Sequence, residues 1–162
     1  MTTHRIWIKN PLALFTATDQ SAPGGLVIEN GVITELLVAG ATPSLFIDET
    51  FDAREHVVLP GLVNAHHHFY QTLTRAWGPV VNEPLFSWLS TLYPIWARLT
   101  PRALELASKV ALAELLLSGC TTTADHHYLF PAGLEEAIDI QVGAVRELGM
   151  RAMLTRRSEE HT

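Results

Sequence analysis

The stretch "LPGLVNAHHHFYQTL", Leu59 to Leu73, sets three consecutive histidines behind a Pro-Gly pair. Side chains alternate along a strand. If the chain runs extended from Leu62, then Leu62, Asn64, His66 and His68 share one face, and Val63, Ala65 and His67 share the other. The second face begins apolar, as a face packed under helices does. The first turns polar toward its C-terminal end, as the wall of a site does. Residues two apart on one face lie roughly 6–7 Å apart at Cα, which lets two imidazoles converge on one ion. We therefore expect His66 and His68 to be metal ligands, with His67 pointing away. A bare His-x-His more often marks histidines hydrogen-bonded in a loop or core, so the rest of the chain has to carry the case. A catalytic zinc also needs about three protein ligands plus water. Asp125, His126 and His127, at the end of the next strand, are the other candidates nearby. His4, His56 and His161 lie in contexts that suggest nothing.

Upstream of Pro60-Gly61 the chain reads as strands. "RIWIKN" alternates, and "GGLVIENGVITELL" places two apolar runs around Asn30-Gly31. Both residues of an Asn-Gly pair tolerate positive φ, which predicts a hairpin. "LFIDETFDA" and "HVVLPG" are shorter strand candidates. Downstream, "LVNAHHH" predicts a strand, and "PLFSWLSTLYPIWARL" predicts a helix with a break near Pro94. "TPRALELASKVALAELLLSG" is the clearest helix, with Thr100 as N-cap, Pro101 in the first turn and Gly119 as the stop. "CTTTAD" predicts a strand, "LEEAIDIQVGAVRELG" a helix stopped at Gly149, and "MRAMLTR" a last strand. This order is that of parallel βα units. We expect residues 1–59 to be the strand-rich part of a composite β-domain and residues 60–156 to be the first βα units of a barrel. Residues 157–162, "RSEEHT", follow without turn chemistry and match translation of a sequencing adapter, so we expect an artefactual tail.

Composition excludes several classes. Of the 162 residues, 48% are hydrophobic and 17% charged, enough for a packed core. The net charge is −6 and no Lys/Arg-rich run occurs, so neither nucleic acid nor an anionic membrane is an expected partner. "VALAELLLSGC" is too short and too charged to span a bilayer, and "PLALF" is a poor signal-peptide core. Cys120 is the only cysteine, which fits a reducing compartment, and we expect a cytoplasmic location.

"LPGLVNAHHH" after a strand-rich segment resembles the entry to an amidohydrolase-superfamily barrel: the Pro-Gly, the Asn two before the first histidine and the His-x-His all match. The continuation through "FYQTLTRAWGPVVNEPLFSWLSTLYPIWARLTP" and "GCTTTADHHYLFP" closely resembles the 8-oxoguanine deaminases, in the cytosine/guanine deaminase-like branch. The resemblance covers nearly all of residues 1–156, but only the N-terminal part of such an enzyme. It implies a (β/α)8 barrel preceded by strands of a small β-sandwich domain, and one divalent metal, usually Zn2+, on His66 and His68. It also implies a substrate-binding role for Gln71, three residues past the second ligand, where an amide with one acceptor and two donors suits a purine edge. The family's catalytic Glu, second His and ligating Asp come from later strands, and we expect no catalytic residue within this chain.

The expected reaction of the intact enzyme is metal-dependent hydrolytic release of ammonia from an 8-oxoguanine-like purine, by a homo-oligomer. The alternatives are an amidohydrolase acting on s-triazine or another amino-heterocycle, and a non-catalytic metal-binding or interaction fragment. Three barrel strands leave open edges and an unclosed core, so we expect this stretch alone to be inactive. Trp77, Phe86, Trp88, Tyr93 and Trp96 cluster between the histidines and the long helix. One of them could stack on a purine, and spacing does not choose which.

Overall fold

The computed structural model describes residues 3–16 and 21–156, so the expectation for residues 157–162 lies outside the described residues. The chain divides into two compact units, Met1–Pro60 and Gly61–Thr162. In the first, β1 (Arg5–Lys9), β2 (Ala13–Leu14), β3 (Gly25–Glu29), β4 (Val32–Leu37), β5 (Glu49–Asp52) and β6 (Val57–Val58) form two sheets. The larger has the order β4-β3-β1-β5, and β2 pairs with β6. Asn30 and Gly31 turn β3 into β4 with φ of 50° and 84°, the conformation for which an Asn-Gly pair is suited. Trp7, Val27 and Leu37 form this unit's core.

The second unit begins with β7 (Leu62–Asn64), followed by a 3₁₀ segment at Phe69–Thr74 and another at Gly78–Val80. Then come α1 (Leu85–Trp96), α2 (Pro101–Leu117), β8 (Cys120–His127), α3 (Ala137–Leu148) and β9 (Arg151–Arg156). The strands lie in the order β7-β8-β9, each pair parallel, which is the expected α/β arrangement. Gly61 allows β7 to start against β8: a Cβ there would stand 2.1 Å from Thr121 Oγ1 and 2.7 Å from Thr121 Cβ. The helices follow local chemistry. Thr100 Oγ1 accepts from Ala103 N–H at 3.2 Å and caps α2, and Gly149, at φ 68°, ends α3. The stripe Leu104, Ala107, Ala111 and Leu112 of α2 is buried.

Two expectations change. No break occurs at Pro94, because α1 runs through it to Trp96. A proline there removes one N–H, and the carbonyl that would accept it belongs to Ser90, which is exposed and can turn to water. The strand expected through His68 stops at Asn64.

One buried carboxylate joins β8 to its neighbours on both sides. Asp125 has no exposed surface. Its Oδ1 accepts from Phe69 N–H at 2.6 Å, and its Oδ2 accepts from Gln141 Nε2–H at 2.7 Å. The first bond holds the segment that follows the histidines, and the second holds α3. Burial dominates the titration of Asp125 and pushes its pKa up from 3.8 to about 6, against the opposing pull of the two N–H donors and of His126. A carboxyl that binds its proton more tightly when folded adds stability that is fully present below about 3.8 and is lost as pH rises through about 6. Asp125→Asn keeps an acceptor for Phe69 and has nothing to titrate. We expect the variant to gain stability relative to the parent as pH rises from about 4 to about 7. Urea midpoints measured across that range check this, and parallel profiles would contradict it.

Candidate functional site

Asn64 ends β7 by local competition. Its Oδ1 accepts from His66 N–H at 3.2 Å, an Asx-type turn that diverts the backbone from the ladder. The chain stays beside β8, since His126 N–H donates to the carbonyl of His67 at 2.9 Å. The three histidines thus occupy a connection between strand and 3₁₀ turn, and strand alternation does not govern them. The turn nonetheless separates them. The rings of His66 and His68 meet edge to face with centroids 4.9 Å apart. His67 packs its ring on Phe69 at 5.1 Å. Burial holds His67 below the ordinary histidine pKa, and its buried Nδ1 has no hydrogen-bond partner.

The ring of His126 joins the pair, 5.2 Å from His66 and 6.2 Å from His68. Hydrogen bonds fix two of the three tautomers. His68 Nδ1 lies 2.7 Å from the carbonyl of His126, which can only accept, so Nδ1 carries the proton and Nε2 the lone pair. Thr155 Oγ1–H donates to the carbonyl of Asp125 at 3.1 Å, which uses its one proton. Its contact with His126 Nδ1, also 3.1 Å, is therefore an N–H donation from the ring, and His126 likewise keeps its lone pair on Nε2. A ring held through Nδ1–H on a carbonyl is how metal-binding histidines are commonly oriented, so the donor chemistry of His66 and His68 fits a borderline-soft dication. Among the described residues, no group of three or more His, Cys, Asp or Glu stands close enough to hold an ion. Asp125 is unsuited as a third ligand, with both oxygens bound to Phe69 and Gln141. His127 is structural: its Nε2–H donates to Leu129 O at 2.6 Å, and its ring is buried against Tyr70 and Phe130.

A cavity of about 520 Å³ opens beside the histidines, with Gln71, Arg75, Trp77 and Trp88 in its wall. Arg75 is held by a two-point ion pair with Glu114, at 2.6 and 2.8 Å. The structure narrows the choice among the aromatics. Trp96 is buried core and donates Nε1–H to Thr74 Oγ1 at 3.1 Å, Tyr93 packs on Trp96, and Phe86 is 83% exposed away from the cavity lining. That leaves Trp77 and Trp88. Gln71 is half-buried, and its Nε2 donates to Tyr70 Oη at 3.1 Å and to Tyr128 Oη at 3.2 Å. Sequence reasoning missed both tyrosines, Gln141 and Thr155. The only available signal was that Tyr128 follows the C-terminal end of a barrel strand, where barrel sites gather.

The amidohydrolase family profile matches residues 57–162. 8-Oxoguanine deaminase of Pseudomonas aeruginosa is 73% identical over 154 residues, which are 95% of this chain and 34% of that enzyme. 5-Methylthioadenosine/S-adenosylhomocysteine deaminase of Desulforudis audaxviator is 35% identical over 94% of this chain and 33% of its own length. Among solved structures, atrazine chlorohydrolase of Arthrobacter aurescens TC1 complexed with zinc superposes with a TM-score of 0.83 at 28% identity, over 97% of this chain and 36% of that one. The chain thus spans about a third of the length of these relatives. With the profile covering more than half of its residues, the chain belongs to the amidohydrolase family.

Proposed function

We propose that these residues form part of a hydrolytic deaminase that releases ammonia from an 8-oxoguanine-like purine, with His66 and His68 holding one divalent metal, Zn2+, and Gln71 orienting the ring. The observation that carries the reading is the His66–His68 ring pair, 4.9 Å apart and with the His68 tautomer fixed, at the edge of a cavity walled by Trp77 and Trp88. The 73% identity to an 8-oxoguanine deaminase supports the purine over the s-triazine alternative, whose structural neighbours share 28%. It also weighs against a non-catalytic module. When bound, such an ion supplies Lewis-acid activation of water near neutral pH. The chain's own residues bind and position. His66 and His68 bind through neutral imidazole nitrogens, Gln71 meets the ring edge, and the two tryptophans cover its faces and keep water off. In the net reaction, water adds at the amidine carbon, the C–N bond to the exocyclic amine breaks, and ammonia leaves as a carbonyl forms. The relatives are about three times as long, and we assign the remaining ligands and the proton-moving carboxylate to the full-length enzyme.

In the same reading, residues 1–59 belong to a composite β-domain and residues 60–156 to the start of the barrel, in a cytoplasmic homo-oligomer acting on a small molecule. No helix among the described residues is long and apolar enough to cross a membrane.

In the full-length enzyme, His66→Ala and His68→Ala should each abolish metal retention, whereas His67→Ala should spare most of it. Elemental analysis of the purified variants checks this, and a metal-free His67→Ala beside a loaded His68→Ala would overturn the ligand assignment. Gln71→Ala should keep the metal and lower kcat/KM by about 1–3 kcal/mol, the cost of an unsatisfied polar contact. Unchanged kinetics on every purine tested would remove Gln71 from the site.

A further inference from the structure

A carboxamide can meet a substrate in two ways, through its oxygen as acceptor or through its N–H groups as donors, and a 180° flip exchanges them. In Gln71 the choice is already made by its neighbours. Nε2 carries two hydrogens, and two hydroxyl oxygens receive them, Tyr70 Oη at 3.1 Å and Tyr128 Oη at 3.2 Å. The tyrosines are themselves held. Tyr70 is fully buried, its ring edge to face with Trp96 at 5.2 Å, His127 at 5.5 Å and Tyr128 at 5.6 Å. Tyr128 packs edge to face on His68 at 5.3 Å. Burial keeps the Tyr70 hydroxyl protonated. Both Nε2 hydrogens of Gln71 are thus used, and Oε1 is the group left for a ligand.

We propose that Tyr70 and Tyr128 are positioning residues that fix the Gln71 carboxamide with Oε1 toward the substrate, so that the site takes a heterocycle presenting a ring N–H on that edge. This rests on the reading that Gln71 contacts the substrate ring. An acceptor without a proton bonds an N–H and repels the lone pair of a bare ring nitrogen. The substrate class is therefore a lactam- or urea-type ring. Oxidation of a purine to its 8-oxo form creates such a group, placing N–H on both nitrogens of the five-membered ring where the parent has one.

The test is a double-mutant cycle in the full-length zinc-loaded enzyme with 8-oxoguanine as substrate and metal content measured alongside. A glutamate at the same position offers an acceptor in either orientation and has no N–H to donate. Gln71→Glu should therefore stay within about tenfold of the parent in kcat/KM, while Gln71→Ala and Gln71→Leu fall further. Tyr128→Phe should raise KM by about three- to tenfold with kcat held, and by less than about twofold when added to Gln71→Glu, which has no orientation to lose. Gln71→Glu as impaired as Gln71→Ala would overturn the proposal by showing that the substrate needs a donor. An equal cost of Tyr128→Phe in both backgrounds would overturn it by making the tyrosine merely structural. No effect of Gln71→Ala would remove the underlying reading itself, and the proposal with it.

Discussion

Asp125 keeps a carboxylate out of water between two elements that must not drift apart. One oxygen receives the amide of Phe69, next to His68, and the other receives the side chain of Gln141 on α3. Removing the carboxylate would leave a backbone N–H and a side-chain amide buried without acceptors, at a cost of about 1–3 kcal/mol each. Neither of the two groups it binds is a cation, and burial raises its pKa accordingly. A group this costly to bury persists where its geometry is needed. Here it sets where the chain turns after the histidines, and so where their rings lie.

The histidine site uses the same device on a smaller scale. The main chain of β8 does the orienting: the carbonyl of His126 takes the His68 Nδ1 proton, and the carbonyl of Asp125 takes the proton of Thr155, which in turn receives that of His126. A β-strand has regularly placed carbonyls, and past Asn64, where β7 has ended, the His126 carbonyl of β8 meets the His68 ring while the other edge of β8 stays paired with β9 as far as His127. A backbone carbonyl thus fixes the His68 tautomer directly, and that of His126 through the Thr155 hydroxyl.

Sequence was a good guide where structure is local. The Thr100 cap, the Asn30-Gly31 turn and the Gly149 stop each depend on residues within one turn of themselves, and each is found. It was a poor guide where a local rule had a competitor. Alternation through His68 assumed an unbroken strand, and Asn64 breaks it by capturing the His66 amide. The expectation that His66 and His68 lie together and His67 apart matches the ring positions, though the turn produces them and the pleat does not. It was silent where partners are distant. Gln71 and Tyr128 are separated by 57 positions, Asp125 and Phe69 by 56, and no spacing rule links them.

The remaining histidines bear on why so many imidazoles can share one corner. His67 and His127 flank the site and bind nothing through their buried Nδ1 atoms. Burial is the leading influence on both and pushes their pKa values down. Each therefore stays neutral at physiological pH. A cationic imidazole beside His66 and His68 would oppose a dication through a poorly screened medium, where a unit charge at a few ångströms acts far more strongly than in water. Neutral rings add no such field. The apolar packing of His67 on Phe69 and of His127 between Tyr70 and Phe130 thus has an electrostatic consequence: it allows a histidine-rich turn to exist without raising its own positive potential.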